Sequence, residues 1–185
     1  MICFNIFFYY DLVVVFNNPS YLFYLFVSSI LCRDLSASTA VHKWSAGHVI
    51  NAMDFSTALN LIASGDQDGV IRFWDPRTPT SDNSTTSSPK STVRASESWI
   101  AEVKWAPSII GADHILASVA YDGQVKLWDI RSSKPLHMFQ TNSDRLYGLD
   151  WSPVIQQESA HSLTAWTLVG GTGKVLDRIS WKMTV

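Results

Sequence analysis

The chain has 185 residues, 46% of them hydrophobic and 12% aromatic, with a formal net charge of −2. That length sets one domain as the expectation, with ample apolar material for a core, and the slight acidity excludes the global basic field that attracts nucleic acid. Cys3 and Cys32 are the only cysteines, too few for a disulfide framework.

Residues 1–31 stand apart from the rest of the chain. Ile2 to Tyr10, Leu12 to Phe16 and Tyr21 to Leu31 are apolar runs, broken by Asp11 and by Asn17-Asn18-Pro19, and no Lys or Arg precedes Arg33. A secretory signal needs a basic start and a spanning helix needs about 20 uninterrupted apolar residues, so neither a signal nor a membrane anchor is expected. The segment reads as a buried strand pair or as sequence foreign to the remainder. From there the pattern changes to short alternating strands. Ala52-Met53-Asp54-Phe55-Ser56 and Leu61-Ile62-Ala63-Ser64 are followed by Asp68-Gly69 and by Val70-Ile71-Arg72-Phe73-Trp74-Asp75. Asp-Gly between two alternating runs is a strong hairpin signal, because a tight primed turn needs the positive φ that Gly supplies cheaply. Residues 78–92 are a Ser/Thr-rich tract too polar and turn-rich to pack. They read as a solvated loop, or as a phosphorylatable tract that recruits basic partners.

The same unit then returns. Glu102-Val103-Lys104-Trp105-Ala106-Pro107 and Ile115-Leu116-Ala117-Ser118 precede Asp122-Gly123 and Gln124-Val125-Lys126-Leu127-Trp128-Asp129. A third copy begins at Leu149-Asp150-Trp151-Ser152-Pro153 and ends with Leu168 to Val175 and Ile179-Ser180-Trp181, without Trp-Asp. Trp74 and Trp128 are 54 positions apart, longer than the roughly 40 to 45 residues of a four-stranded propeller blade. Polar insertions account for the excess, with further ones expected at Ser108 to His114 and at Val154 to Thr164.

Catalytic and metal chemistry is not expected. The five His, at 42, 48, 114, 137 and 161, show no ligand spacing, and no Gly-x-Ser-x-Gly elbow or convergent carboxylate pair stands out. Gly170-Gly171-Thr172-Gly173-Lys174 lacks the Gly five places before Gly173 and the Ser or Thr after Lys174 that a phosphate loop requires, and reads as a hairpin turn. No enzyme activity and no cofactor follow from these residues.

With strand, turn and Trp-Asp recurring in register, the chain resembles the WD-repeat β-propeller family over residues 32–185. The resemblance implies an all-β fold, a partial propeller of about three four-stranded antiparallel blades from a seven-blade ring. Ile30-Leu31-Cys32-Arg33-Asp34-Leu35 falls where a blade's third strand ends, with Arg33 in the Trp place and the blade before it missing; Ala37 to Trp44 is then an outer strand. In the family a His, an Asp, a Ser or Thr and the Trp form a buried hydrogen-bonded tetrad. His48, Ser64, Asp68 and Trp74 match those places in one blade. Ser118, Asp122 and Trp128 match three of them in the next, where Ser96 stands near the His place. So few blades cannot close a ring and would leave sheet edges and Trp-rich faces open, which predicts association or a longer product.

The run from Ile71-Arg72-Phe73-Trp74-Asp75-Pro76-Arg77-Thr78 through Val125-Lys126-Leu127-Trp128-Asp129-Ile130-Arg131-Ser132 to Val169-Gly170-Gly171 resembles the last blades of the WD repeat-containing protein twelve (Ytm) family. That resemblance implies a non-enzymatic scaffold in large-subunit ribosome assembly and pre-rRNA processing, located in nucleus, nucleolus and nucleoplasm. The implied partners are pescadillo-like and block-of-proliferation-like subunits and pre-60S particles, with RNA contacted through them. Trp99 and the basic Arg72, Lys104 and Lys126 are candidate partner contacts, since exposed Trp and Arg build interface hot spots; the basic set equally suits a solvated strand face. Arg77 and Arg131, each following Trp-Asp, read first as a structural repeat. Two other classes fit the same residues: another WD-repeat adaptor, such as a histone-binding chaperone, or a propeller tethered to a membrane by residues 1–31.

Overall fold

The computed structural model of the chain describes residues 12–14, 21–35, 40–77, 88–107, 113–141, 145–154, 162–168 and 176–182. Every regular element among them is a β-strand, and no helix is long and apolar enough to cross a membrane. The strands fall into four antiparallel sheets in strict chain order. Blade 1 comprises β1 (Leu12–Val14), β2 (Tyr21–Phe26), β3 (Ser29–Asp34) and β4 (Ala40–Ser45). Blade 2 comprises β5 (Ile50–Ser56), β6 (Leu61–Asp66), β7 (Val70–Trp74) and β8 (Ser91–Arg94). Blade 3 comprises β9 (Ile100–Trp105), β10 (Ile115–Ala120), β11 (Gln124–Asp129) and β12 (Pro135–Gln140). The fourth sheet has three strands, β13 (Gly148–Val154), β14 (Ser162–Leu168) and β15 (Leu176–Lys182).

The all-β, partial-propeller expectation holds, with three adjustments. Four sheets are described rather than about three, because Leu12–Val14 and Tyr21–Phe26 supply inner strands for the third-strand segment Ser29–Asp34. The division expected between residues 31 and 32 falls inside β3, which pairs with a strand on each side; residues 1–11 and 15–20 lie outside the described residues. The polar segments are also shorter than expected. Ser91 and Thr92 pair with β7, and Val154 opposes Ser162 across a hairpin, because strand pairing tolerates Ser and Thr as well as apolar residues. Residues 78–87, 108–112, 155–161 and the Gly-Gly-Thr-Gly-Lys turn lie outside the described residues.

Burial explains why small residues fill the second strands. Every residue of β6 and of β10 is buried, whereas the outer strands β8 and β12 are largely exposed. Both faces of a second strand are therefore covered by neighbouring blades. The core lies in those seams: Ala63, Ile71 and Phe73 of blade 2 pack with Ile100, Val103, Trp105 and Leu116 of blade 3. Phe23, Ile30 and Trp44 of blade 1 pack with Phe55, Ile62 and Trp74 of blade 2. Ala117, Val119 and Val125 of blade 3 meet Leu146 and Leu149, which lead into the fourth sheet. At Gly65 the approach is so close that a Cβ would collide with Ile100 Cγ2.

The two expected Asp-Gly turns form, with Gly69 at φ +75° and Gly123 at φ +74°. Gly69 does more than turn the chain, since its carbonyl accepts the N–H groups of Ala95 (2.8 Å) and Ser96 (3.1 Å) and fixes the loop that leads to blade 3. A Cβ there would collide with the Ser96 carbonyl oxygen. Gly69→Ala combines left-handed strain with a backbone clash and should cost about 2–4 kcal/mol. Urea denaturation of the full-length protein measures it, and a loss under about 0.5 kcal/mol would show that this turn does not hold the seam.

Candidate functional site

The Trp-Asp strands owe their chemistry to register. Ser64 opposes Arg72 and Ile62 opposes Trp74, so these four side chains share the face turned toward blade 1. Trp74 Nε1 donates to Ser64 Oγ at 2.9 Å, and Trp128 Nε1 donates to Ser118 Oγ at 2.9 Å, both in buried surroundings. His48 Nδ1 lies 3.0 Å from Asp68 Oδ2, but both side chains are near half-exposed. The four residues expected as one tetrad are thus joined as two pairs, one inside the seam and one at its rim. In blade 3 Asp122 Oδ2 accepts from Ser96 Oγ at 2.7 Å, so a buried serine holds the turn where blade 2 uses His48.

The buried acid at this seam is Asp66, which sequence reasoning misses. Its Oδ1 accepts the N–H groups of Asp68 (2.9 Å) and Val70 (3.0 Å), and its Oδ2 pairs with Arg72. Arg72 is therefore not an exposed partner contact. Lys126, the matching residue of blade 3, is likewise turned inward, its Nζ donating to Ala95 O of blade 2. The expectation of a solvated or partner-facing basic stripe assumes a sheet with one wet face; here each face meets a neighbouring blade. Blade 3 has Ala120 where blade 2 has Asp66, so its cation takes a carbonyl instead of a carboxylate. Lys104 is one-third exposed and sits 3.8 Å from Glu102. Trp99 is the candidate that the structure leaves at the surface, 46% exposed.

The aspartates of Trp-Asp act outside the seam. Asp75 is gripped by Arg77 Nε (2.9 Å) and Nη2 (2.8 Å), and Asp129 by Arg131 Nε (2.9 Å) and Nη2 (2.5 Å). The Arg77 fork, countered by some burial and helped by Lys90, holds the Asp75 carboxyl down at about 2. Both arginines are mostly exposed, so each pair contributes only about 0.2–1 kcal/mol.

The repeated charged-aromatic pair of the inner strands has its own purpose. Trp105 Nε1 donates to Asp54 O at 3.2 Å, and Trp151 Nε1 donates to Lys104 O at 3.1 Å. Each indole faces the preceding blade, while Asp54, at the equivalent place in blade 2, faces blade 3. Phe55, which has no N–H, packs instead on Phe23 of blade 1 at 5.0 Å. The same geometry gathers Asp54, Glu102 and Asp150 from three successive inner strands around Lys104. Burial raises the Asp54 carboxyl, opposed by the Trp105 N–H at 2.7 Å. Burial likewise pushes Glu102 up to about 7, with Lys104 pulling down and Asp54 and Asp150 pushing further up. This convergence is invisible in the chain because its members lie about fifty positions apart. Among the described residues no group of three or more His, Cys, Asp or Glu side chains is arranged to hold a metal ion.

Antiparallel sheets packed face to face, with Trp74 and Trp128 each bonded to a serine of the second strand and Trp-Asp closing the third strand in blades 2 and 3, define a WD-repeat β-propeller segment. The β-propeller family described as nucleolar protein 10-like, N-terminal domain, matches residues 26–160. The chain belongs to that family. It is also similar to the ribosome biogenesis protein WDR12 homolog of Arabidopsis thaliana, 37% identical over 57% of this chain and 23% of that protein. The homolog from Oryza sativa subsp. japonica is 34% identical over 64% and 26%, and the ribosome biogenesis protein YTM1 of Meyerozyma guilliermondii 24% identical over 67% and 30%. These relatives bear out the Ytm resemblance. The chain spans about a quarter of the length of the curated relatives it matches. The fold is shared with the computationally designed Ika4 protein, at TM-score 0.66 and 15% identity over 90% of this chain and 88% of that one.

Two outcomes are expected of this geometry. Asp66→Ala and Arg72→Ala should each destabilise by about 3 kcal/mol, since each strands a buried charge, and the double variant should lose far less than the sum. Double-mutant cycles in urea measure the coupling; strict additivity would mean the pair does not interact. Glu102 has a folded pKa above its ordinary value of 4.5, so its contribution is present below that value and is lost as pH rises through about 7. Glu102→Gln should therefore leave stability at pH 5 nearly unchanged and raise it at pH 8 by about 1–3 kcal/mol. Denaturation midpoints at the two pH values decide this, and an equal gain at both would remove ionisation as the cause.

Proposed function

We propose that the chain belongs to a non-enzymatic protein–protein scaffold that serves assembly of the large ribosomal subunit and pre-rRNA processing. The observation that carries this reading is the similarity to WDR12 and YTM1 ribosome biogenesis proteins of plants and yeast over more than half of this chain. A propeller suits the role physically, since its seams rigidify the sheets and leave the loops to bind. The proposed partners are pescadillo-like and block-of-proliferation-like proteins on large-subunit precursors, in nucleolus and nucleoplasm, with pre-rRNA reached through them. On this reading His48, Ser64, Asp68 and Trp74, with Ser118, Asp122 and Trp128, are structural, and recognition falls to the rim around Trp99.

The test is gradient sedimentation of the tagged full-length protein from its own cells, with depletion in parallel. The tag should travel with large-subunit precursors, and depletion should lower the ratio of large to small subunits while unprocessed pre-rRNA accumulates. A tag confined to the top of the gradient, with an unchanged subunit ratio, would sink the reading.

A further inference from the structure

One end of blades 2 and 3 and the start of the fourth sheet carries aromatic side chains that the fold itself does not require. Tyr121 N donates to Trp99 O at 3.0 Å, tying the Asp122-Gly123 turn to the loop before β9. The same backbone bond exists one blade earlier, where Gln67 N donates to Val49 O at 3.0 Å. Valine and glutamine satisfy it there, so Trp99 and Tyr121 are surplus to the connection. Their rings nevertheless stack at 5.8 Å with 29° between planes, and Tyr147 packs against Tyr121 at 5.1 Å. The guanidinium of Arg145 lies over the Tyr121 ring, 5.8 Å from its centroid. Glu97, Ser98, Trp99, Tyr121 and Arg145 line an open cavity of about 320 Å³. Leu146, wholly buried beside Arg145, anchors that loop through its N–H to Ala120 O at 3.4 Å. The platform is thus pre-set, with Trp99 and Tyr147 each at least 40% exposed.

Charge selects the occupant. Glu97 is drawn to Arg94 at 3.5 Å, whereas among the described residues no carboxylate pairs with Arg145. Lying 5.8 Å from the Tyr121 ring centroid, its guanidinium offers a donor fork that suits a carboxylate. Asp68 and Glu97 are exposed at the same end, which disfavours a continuous polyanion such as RNA but tolerates a single acidic side chain. We propose that this platform docks an extended peptide segment of a partner protein, one that sets a carboxylate on Arg145 and an adjacent apolar or aromatic side chain on Trp99. The proposal rests on the scaffold reading and names the chemistry of the partner that it would hold.

The test pans a random dodecapeptide phage library against the full-length protein and measures a labelled consensus peptide by fluorescence anisotropy. Enriched peptides should share Asp or Glu beside an apolar residue. Trp99→Ala should weaken the consensus peptide roughly 10- to 30-fold, and Arg145→Glu by at least as much, as hot-spot truncations do. Arg145→Glu should also redirect panning to Lys- or Arg-bearing peptides, and its surface position keeps folding out of the comparison should Trp99→Ala misfold. Absence of enrichment, enrichment indifferent to Arg145→Glu, or binding of a twelve-nucleotide oligouridine that depends on Trp99 would each overturn the proposal. Sedimentation with ribosomal precursors is read separately. Its loss with intact peptide binding removes the scaffold role, and the converse removes only this site.

Discussion

A four-stranded sheet that is apolar on both faces cannot exist alone in water, and every other feature of this chain answers to that constraint. Ile62 and Trp74 need blade 1 on one side, while Ala63, Ile71 and Phe73 need blade 3 on the other. Repeat proteins that stack in this way draw stability from nearest-neighbour interfaces more than from single units. The seam therefore dictates the sequence more strictly than the sheet does. It demands small residues on the second strands, as at Ala63, Ser64 and Gly65, so that a neighbour such as Ile100 can reach the backbone. It also demands that strand positions ordinarily given to water be filled by groups able to live under cover.

The polar groups inside the seams answer that demand. An indole buried against a sheet must find an acceptor for its N–H. Trp74 and Trp128 find it in Ser64 and Ser118 within their own blades, and Trp105 and Trp151 in carbonyls of the blade before. The first kind fixes a strand to its neighbour and the second fixes blade to blade, so one residue type serves two levels of organisation. Cations are treated similarly: Arg72 meets a carboxylate, and Lys126 a carbonyl. Successive blades thus solve one problem with different residues, which is why the repeat is loose in sequence yet strict in geometry.

What is legible in the sequence is whatever is local. Alternation, the Asp-Gly turns and the recurrence of Trp-Asp fix strands and hairpins, because those depend on residues within a few positions of one another. The exposure of Trp99 is legible too, since an aromatic in a polar loop outside the alternation has no strand face to join. Arg72 and Lys126 mislead because alternation says only that two faces differ, not whether one of them is wet. Asp66 escapes notice because its importance lies in accepting Asp68 and Val70 N–H groups and the Arg72 guanidinium at once, an arrangement with no signature beyond a single Asp near a turn. The gathering of Asp54, Glu102 and Asp150 around Lys104 needs the blades to be stacked before it exists at all.

The seams leave recognition little room, and that restriction is informative. Faces are consumed by packing and inner strands by the charge cluster, so variation compatible with folding collects at loops and outer strands. Val49 with Gln67, and Trp99 with Tyr121, hold equivalent places and make the same backbone bond at the same length. The fold treats these pairs as interchangeable. Two large rings kept partly in water at one of the two places add nothing to that backbone bond, and they expose apolar area that a lone chain would do better to hide. A residue choice that the connection does not need, and that leaves apolar area in water, is best explained by what it meets from outside, and at this end of the blades it is Arg145, over the Tyr121 ring, that gives the aromatic surface a preferred charge.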